Sequence, residues 1–326
     1  MNNRAANFKR LWGFSVGFYG VWIAHVGRRT GLLAHIAKNP MTVDELTSST
    51  GLHFAAVRAW CMAALSYRLL VRTNSGKLRL PSSVARVLVQ QDHPHYLGGQ
   101  FSYLAMRSLE YGGFDELFKR GETRPLLSSF DAIEEATHWD HYAFLASVRH
   151  KKRLHSALSK GCSVIDIGCG SGSLIAKLQG VYPRSSYVGI DPSDVAVAKA
   201  RQLLQGKSSE ILRMKAEDMD FSARFDLAYL GESLYAAKDK QQVILNCHSA
   251  LKRGGTIAIV EGILPTSRMS SDENRLIMAM QLDFALQGCE FLSRGQLLLL
   301  LRTANFVDIL FDPLGGSVYL VTARKR

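Results

Sequence analysis

The 326-residue sequence contains few cysteines, and they form no recognisable pattern. The five cysteines are widely spaced, and no C-x-x-C pair with histidine-rich neighbours occurs. This disfavours both a disulfide scaffold and a structural zinc site, so a reducing, cytoplasmic compartment is expected. Hydrophobic residues make up 47% of the chain and charged residues 21%, which excludes disorder, collagen and coiled coil.

The chain also lacks an apolar run long enough to cross a bilayer. The longest run, residues 11–26, is shorter than the roughly 20 residues that a span requires. A signal peptide is the alternative, because Arg4, Lys9 and Arg10 precede the run, but no A-x-A-like cleavage site follows it. We therefore expect a buried or subunit-facing helix and no membrane span.

Acidic residues are scarce in the N-terminal third. Residues 1–98 hold 12 basic and 3 acidic residues, a net charge of +9, which allows an acidic partner. Thr42 and Glu45 form a capping box at the start of a helix, and a second helix is predicted over residues 55–65. Two short strands around the turn at 74–76 follow, so the order of elements predicts a winged helix.

The predicted recognition helix of this winged helix has an apolar start. A helix that reads DNA begins with polar or basic side chains, whereas residues 52–57 read LHFAAV and only Arg58 is cationic. We interpret residues 1–98 as a dimerisation domain, with nucleic-acid binding as the alternative. Residues 99–158 are predicted to form a helical connector that contributes to the substrate pocket. His138, Asp140 and His141 lie there at positions i, i+2 and i+3, a spacing that does not place the ligands of a metal ion on one helix face, so no metal site is expected.

A glycine-rich turn opens the third predicted domain, residues 159–326. An apolar strand over residues 162–168 runs into GCGSG and then a helix, a turn that lets a ligand approach the backbone closely. Ser173 stands where the dinucleotide fingerprint has its third glycine, which disfavours a pyrophosphate cofactor. Asp191 ends the next strand, where an acidic residue accepts bonds from ribose hydroxyls. Asp166, inside the first strand, suits a cationic ligand group.

A ribose acceptor, a glycine loop and an acidic group for a cation together fit S-adenosylmethionine. The motifs VIDIGCGSG, YVGIDPS, MKAEDMDF, FDLAYLGESLY and LKRGGTIAIVEG resemble those of the class I (Rossmann-like) S-adenosylmethionine-dependent methyltransferases. With the winged helix, the chain resembles small-molecule O-methyltransferases whose N-terminal domain forms a homodimer. The resemblance implies an α/β fold, a Rossmann-like seven-stranded and mostly parallel sheet with one antiparallel strand, preceded by the mainly helical winged-helix domain.

The resemblance also implies roles for individual residues. Gly168, Gly170 and Gly172 would admit the methionine portion and the sugar of the cofactor. Asp166 would bond near its amino-acid end, and Asp191 would hold the ribose hydroxyls. The other cofactor contacts that it implies are Pro192, Ala216, Glu217, Leu230, Gly231 and, from the long helix before Cys162, Tyr142. The family often has an aspartate where this chain has Lys215.

One departure from the family concerns the general base. These enzymes often carry a histidine after the fourth strand, in an H-D-W-like context, whereas residues 232–236 here read ESLYA. Glu232 is the first candidate for a base or a substrate contact, with a purely cofactor-contacting role as the alternative. His141 is a weaker candidate, and Glu261 is expected to cap the turn after its strand.

The sequence therefore predicts methyl transfer from S-adenosylmethionine to a small, aromatic or apolar, natural-product-like acceptor. Two alternatives remain, a nucleic-acid-directed methyltransferase and a DNA-binding regulator that senses S-adenosylmethionine. No N/D-P-P-Y/F motif follows the fourth strand, which disfavours a nucleic-acid substrate.

Overall fold

The computed structural model describes residues 3–93, 95–124, 130–267 and 271–326. The chain forms two compact units, Met1–Tyr111 with Leu127–Trp139, and Gly112–Leu126 with Asp140–Arg326. Residues 99–158, the predicted connector, are thus divided between the units. In chain order the helices and strands are α1 (Asn3–Arg29), α2 (Leu32–Lys38), α3 (Val43–Thr50), α4 (Phe54–Ser66), β1 (Val71–Arg72), β2 (Leu78–Arg79), α5 (Ser82–Leu88), α6 (Gly98–Ser108), α7 (Phe114–Arg120), α8 (Phe130–His150), α9 (Lys152–Lys160), β3 (Ser163–Ile167), α10 (Ser173–Val181), β4 (Ser186–Asp191), α11 (Asp194–Leu203), β5 (Ser209–Arg213), β6 (Phe225–Gly231), α12 (Lys240–Ala250), β7 (Leu251–Leu264), α13 (Asp272–Leu286), β8 (Leu292–Ser293), α14 (Arg294–Thr303), β9 (Phe306–Gly315) and β10 (Val318–Lys325).

In the first unit, short helices and a hairpin enclose an apolar core. Helices α2, α3 and α4 precede the antiparallel pair β1–β2, and Met41 bridges to Leu78 beside it. The predicted capping box is present, because the Thr42 hydroxyl accepts from the Glu45 amide at 3.1 Å and the Glu45 carboxylate accepts from the Thr42 amide at 2.7 Å. Leu46, on the helix that this box starts, is fully buried. In this unit, the short helices α2, α3 and α4 are thus followed by a two-stranded hairpin.

The first half of α1 presents apolar side chains to solvent. Phe8, Trp12 and Tyr19 are 68%, 61% and 63% exposed, whereas Ala24 and His25 further along the helix are buried. The apolar run over residues 11–26 was predicted to be buried or to face another subunit. Within a single chain, most of this run is exposed to solvent. None of the helices built from the described residues is both long and apolar enough to cross a membrane.

The second unit contains the predicted, mostly parallel sheet. Seven strands run in the order β5-β4-β3-β6-β7-β10-β9, and β10 is antiparallel to both of its neighbours. The two-residue strand β8 pairs with the end of β7 and adds an eighth strand. Buried side chains of α8, α9, α10 and α11 cover one face of the sheet, and those of α12 and α14 cover the other. Both faces are apolar because a parallel sheet is buried on both sides.

The strand order reverses at β3. Strands β4 and β5 follow on one side of β3, whereas β6 and β7 lie on its other side. In sheets of this type, ligands bind in the crevice outside the carboxyl ends of the strands at the reversal. A ligand site is therefore expected among the residues that follow β3, β4 and β6.

The last hairpin differs from the sequence-based expectation. The run Asp312-Pro313-Leu314-Gly315-Gly316 predicts a turn, but β9 continues to Gly315 and the chain reverses at Gly316 and Ser317. Pro313 is tolerated inside β9 because this strand lies at the edge of the sheet, where one row of amides has no ladder partner.

Candidate functional site

A cavity of about 550 Å³ opens at the carboxyl ends of the strands on either side of the reversal. Its wall combines apolar side chains with several polar ones, as in most small-molecule sites. The lining residues are Ile167, Gly168, Asp191, Pro192, Met214, Lys215, Ala216, Glu217, Asp218, Leu230, Glu232, Ser233, Leu234, Ala236, Ala237, Lys238, Asp239 and Val243.

The glycine-rich turn forms one edge of this cavity. The amides of Gly168 and Cys169 both donate to the Ile190 carbonyl, at 2.8 and 3.0 Å, and so fix the turn to β4. Gly168 has a φ of +79°, and a Cβ there would lie 2.7 Å from the Ser233 Cβ. Only glycine therefore allows the chain after β3 to pass this close to the chain after β6.

Asp191, the last residue of β4, lies beside the turn. One carboxylate oxygen accepts from the Gly170 amide at 3.0 Å, and the other accepts from the Ser193 amide at 2.8 Å. Burial raises the pKa of Asp191 above its ordinary value, while these two amides oppose the rise. Each oxygen keeps lone pairs for a further donor, so the carboxylate can accept hydrogen bonds from a ligand in the cavity.

The wall beyond Asp191 is formed by Pro192 and the segment after β5. Ala216 and Glu217 lie there, and the Glu217 carboxylate accepts from the Lys238 amide at 2.9 Å. Asn246 of α12 donates to the carbonyls of Ala216 and Glu217 at 3.0 and 2.7 Å, which holds this segment in place. The wall can therefore pack against a flat, weakly polar group.

Asp166 lies inside β3 behind the glycine turn, and its side chain is 3% exposed. Burial, reinforced by the nearby Asp191 carboxylate, raises the pKa of Asp166 to about 7. In the β3–β6 register Asp166 is the direct neighbour of Tyr229, so the two side chains leave the same face of the sheet. A carboxyl group in this environment is stabilised in its charged form by a cation.

Glu232 follows β6 and lines the cavity in a left-handed backbone conformation, with a φ of +47°. Its amide donates to the Val260 carbonyl at 2.8 Å, which places it beside Glu261 of β7. Burial raises the pKa of Glu232 to about 7. The carboxyl group can therefore exchange a proton near neutral pH.

The sequence predicts that Glu261 caps the turn after its own strand, β7. In the structure it caps the turn after β6 instead. One of its carboxylate oxygens accepts from the Leu234 amide at 3.0 Å, and the side chain is 2% exposed. Burial, and then the neighbouring Glu232, raise the pKa of Glu261 well above its ordinary value. Glu261 thus supports the segment that carries Glu232.

The structure gathers about half of the predicted site residues at the cavity. Those that line it are Gly168, Asp191, Pro192, Ala216, Glu217, Leu230 and Glu232. Asp166, Gly170 and Gly231 lie directly behind these residues along the same strands and turn. Gly172 instead faces α11, where a Cβ would lie 2.8 Å from Leu204 Cδ1.

The two predicted contacts from the long helix are not part of the cavity wall. His141 of α8 has its Nε2 3.7 Å from a carboxylate oxygen of Asp140. The ring of Tyr142 faces the Lys177 ammonium, whose nitrogen lies 5.4 Å from the ring centroid. Tyr142 therefore faces α10, the helix that follows the glycine turn.

The sequence reading overlooked two groups near the site, Asp140 and Tyr229. Both are 1% exposed, and Asp140 lies one helical turn before Phe144, whose ring is 4.5 Å from the Tyr229 ring. The position of Asp140 beside His138 and His141 suggests at most a metal ligand, and a helical carboxylate is ordinarily exposed. Tyr229 reads simply as a β-strand residue.

Comparisons with known proteins agree with this geometry. Residues 165–257 match the family model described as a methyltransferase domain. The ubiquinone biosynthesis O-methyltransferase of Pseudomonas syringae pv. tomato is 35% identical over 101 residues, which are 30% of this chain and 43% of that protein. The chain spans less than half the length of the curated relatives that it matches.

Solved structures match over almost the whole chain. The human N-acetylserotonin methyltransferase in complex with SAM has a TM-score of 0.74 and 20% identity, over 98% of this chain and 97% of that one. The N,N-8-amino-8-demethyl-D-riboflavin dimethyltransferase of Streptomyces davawensis has a TM-score of 0.63 and 20% identity, over 98% and 99%. These likenesses show the fold, and the residues that match the methyltransferase domain model lie in the second unit.

Proposed function

We propose that this chain is an S-adenosylmethionine-dependent methyltransferase that acts on a small-molecule acceptor. The observation that carries the proposal is the position of Asp191, an acidic strand end that lines the cavity at the strand-order reversal. The matched methyltransferase domain supports the reaction class. The named activities of structural neighbours include transfer to oxygen and to nitrogen, so the fold alone leaves the acceptor atom open.

The cavity residues fit the three parts of this cofactor. Asp191 offers carboxylate oxygens to the ribose hydroxyls, and the wall of Pro192 and Ala216 suits the flat adenine. Asp166, whose buried carboxyl group gains from a nearby cation, suits the positively charged amino-acid end. When bound, S-adenosylmethionine supplies a methyl group on a sulfonium, which is already a good leaving group.

Because the leaving group is good, the protein contributes mainly by positioning and by excluding water. An acceptor that bears a tightly held proton needs a base as well. Glu232 is the residue that we assign to this role, since it lines the cavity and its pKa of about 7 lets it accept a proton at neutral pH. Glu261 acts as a positioning residue through its bond to the Leu234 amide.

Calorimetric titration with S-adenosylhomocysteine tests the proposal without knowledge of the acceptor. We expect a dissociation constant in the micromolar range, equivalent to about −8 kcal/mol. NAD is the matched control ligand, because it shares the adenosine but carries the pyrophosphate that the glycine turn disfavours. Absence of S-adenosylhomocysteine binding, or tighter binding of NAD, would overturn the assignment.

The exposed apolar side chains of α1 support a homodimer formed through the N-terminal unit. Large apolar surfaces of this kind are usually covered by a partner, and symmetric pairing of identical patches is the commonest arrangement. Phe14 and Phe18 are 58% and 50% exposed, in addition to the three aromatic side chains named above. The order of α2, α3, α4 and the β1–β2 hairpin supports a winged-helix-like dimerisation domain.

Two further features complete the proposal. All five cysteines are free thiols, which supports a reducing, cytoplasmic compartment. Helix α4 begins at Phe54, which is 44% exposed, and its first two turns carry a single cation, Arg58, so nucleic-acid reading by this helix is less supported.

A further inference from the structure

Five of the residues that line the cavity are acidic, namely Asp191, Glu217, Asp218, Glu232 and Asp239. The proposed function uses two of them, Asp191 for the ribose and Glu232 for the acceptor. A carboxylate beside a ligand favours a hydrogen-bond donor, because it only accepts. The other three carboxylates therefore bear on which donors a ligand must carry.

The base of the bound nucleoside lies along the segment that follows β5. In the β4–β5 register Asp191 pairs with Arg213, and the Met214 amide donates to the Asp191 carbonyl at 3.1 Å. The segment thus starts beside the residue that holds the ribose, and it continues through a single 3₁₀ turn, Ala216–Asp218. A base attached to that ribose is within reach of this turn.

The backbone carbonyls of the turn are engaged within the protein. Asn246 of α12 donates to the carbonyls of Ala216 and Glu217, at 3.0 and 2.7 Å. The Lys215 carbonyl accepts from the Asp218 amide at 3.1 Å, which closes the turn. Adenine carries one amino group that donates hydrogen bonds, so we expect its acceptor among the side chains.

Two of the three remaining carboxylates already hold a backbone amide. One oxygen of Glu217 accepts from the Lys238 amide, and one oxygen of Asp239 accepts from the Gln242 amide at the start of α12, both at 2.9 Å. Asp218 differs, because within the described part of the chain its exposed carboxylate has no hydrogen bond or ion pair. Both of its oxygens can therefore accept from a ligand.

Lys215 lines the same wall but cannot accept a hydrogen bond, because an ammonium only donates. Residues three apart lie on the same side of a 3₁₀ turn, so Asp218 returns a carboxylate to the side from which Lys215 leaves the chain. Lys215 can donate only to the ring nitrogens of a purine. The amino group is left to Asp218.

We propose that the carboxylate of Asp218 accepts a hydrogen bond from the 6-amino group of the cofactor's adenine and makes the cavity selective for a 6-aminopurine nucleoside. This inference rests on the proposed methyltransferase function and adds a specificity-determining residue to its cofactor site. The family that the sequence resembles often has an aspartate where this chain has Lys215. Here the carboxylate stands three residues further along the chain.

A matched pair of ligands tests the inference on the full chain. S-adenosylhomocysteine is compared with its analogue in which hydrogen replaces the 6-amino group, each titrated by calorimetry at pH 7.5. A hydrogen bond to a charged acceptor at an exposed site corresponds to about tenfold in affinity, so we expect S-adenosylhomocysteine to bind about ten times more tightly. Equal binding of the two ligands to the parent would overturn the inference.

Variants of the wall identify the residue that is responsible. We expect Asp218→Ala to bind the two ligands within about twofold of each other, because the acceptor is lost. Lys215→Ala should change the affinity for both ligands alike, since they share the same ring nitrogens. Asp220→Ala is the control and should keep the parent's preference, because Asp220 is exposed and outside the lining of the cavity. Thermal unfolding of each variant checks that it is folded.

The two proposals fail in different ways. Absence of S-adenosylhomocysteine binding to the parent protein would overturn the methyltransferase assignment itself. Binding of that ligand together with an undiminished preference in Asp218→Ala would overturn only the role of Asp218.

Discussion

Replacing Asp191 with alanine tests the central contact of the proposed site. The carboxylate ends β4, lines the cavity and accepts from the amides of Gly170 and Ser193 at 3.0 and 2.8 Å. Hydrogen bonds to a charged acceptor contribute about 1.5–3 kcal/mol each, so loss of two ribose bonds removes about 3 kcal/mol or more. This corresponds to a dissociation constant for S-adenosylhomocysteine that is roughly 100-fold higher.

The assay is calorimetric titration of the parent, Asp191→Ala and a matched control. Asp194→Ala is the control, because this carboxylate lies three residues later in α11 and is largely exposed in a surface ion pair with Arg213. Thermal unfolding of each variant shows whether the glycine turn, which loses the acceptor of the Gly170 amide, still folds. A folded Asp191→Ala protein that binds within twofold of the parent would refute the reasoning.

Three further predictions concern stability, pH and assembly. Gly172→Ala should lower the free energy of unfolding by about 1–3 kcal/mol, because φ is +77° and the new Cβ would lie 2.8 Å from a Leu204 methyl carbon. Urea unfolding measures this change. Gly180→Ala is the control and should not destabilise the protein, because a Cβ on Gly180 would meet no atom within 4 Å. Asp166→Asn should be increasingly stabilising between about pH 4 and 7, because the folded carboxyl group keeps its proton up to about pH 7 while the unfolded one loses it near 4. A stability difference that does not change with pH would contradict this. Changing both Trp12 and Phe18 to serine should shift sedimentation from dimer to monomer, whereas Phe118→Ser, at another exposed site, should not.

Features that depend on neighbouring residues were predictable from the sequence. The capping boxes of α3 and α14 follow from side chains three positions apart, and the structure contains both. The glycine turn and Asp191 were predictable for a similar reason, since a strand, a turn and the end of the next strand lie within about 30 residues. The mostly parallel sheet followed from the resemblance to a known family and is confirmed.

The burial of Asp140 near Tyr229 was beyond the reach of sequence reasoning because it joins distant segments. Only the packing of α8 on β6, through Phe144 and Tyr229, brings the two residues into one region. A helical carboxylate is ordinarily exposed, so its pattern predicts a solvated face. The continuation of β9 through Pro313 could not be predicted either. A proline is tolerated in a strand at the edge of a sheet, and which strand lies at the edge depends on the whole sheet.

The backbone at Glu232 is strained where the chain enters the site after β6. A left-handed conformation costs a residue with a side chain about 1–3 kcal/mol, and such strain persists only where the surroundings fix it. Three bonds do so here, because the Glu232 amide donates to the Val260 carbonyl, the Ser233 hydroxyl donates to the Ile167 carbonyl and Glu261 accepts from the Leu234 amide. The chain thus maintains an unfavourable conformation that places a carboxyl group in the cavity, within the segment where the family that the sequence resembles often has a histidine. A carboxyl group with a pKa of about 7 can take the proton that an imidazole would take, so this exchange keeps a base at the same edge of the sheet.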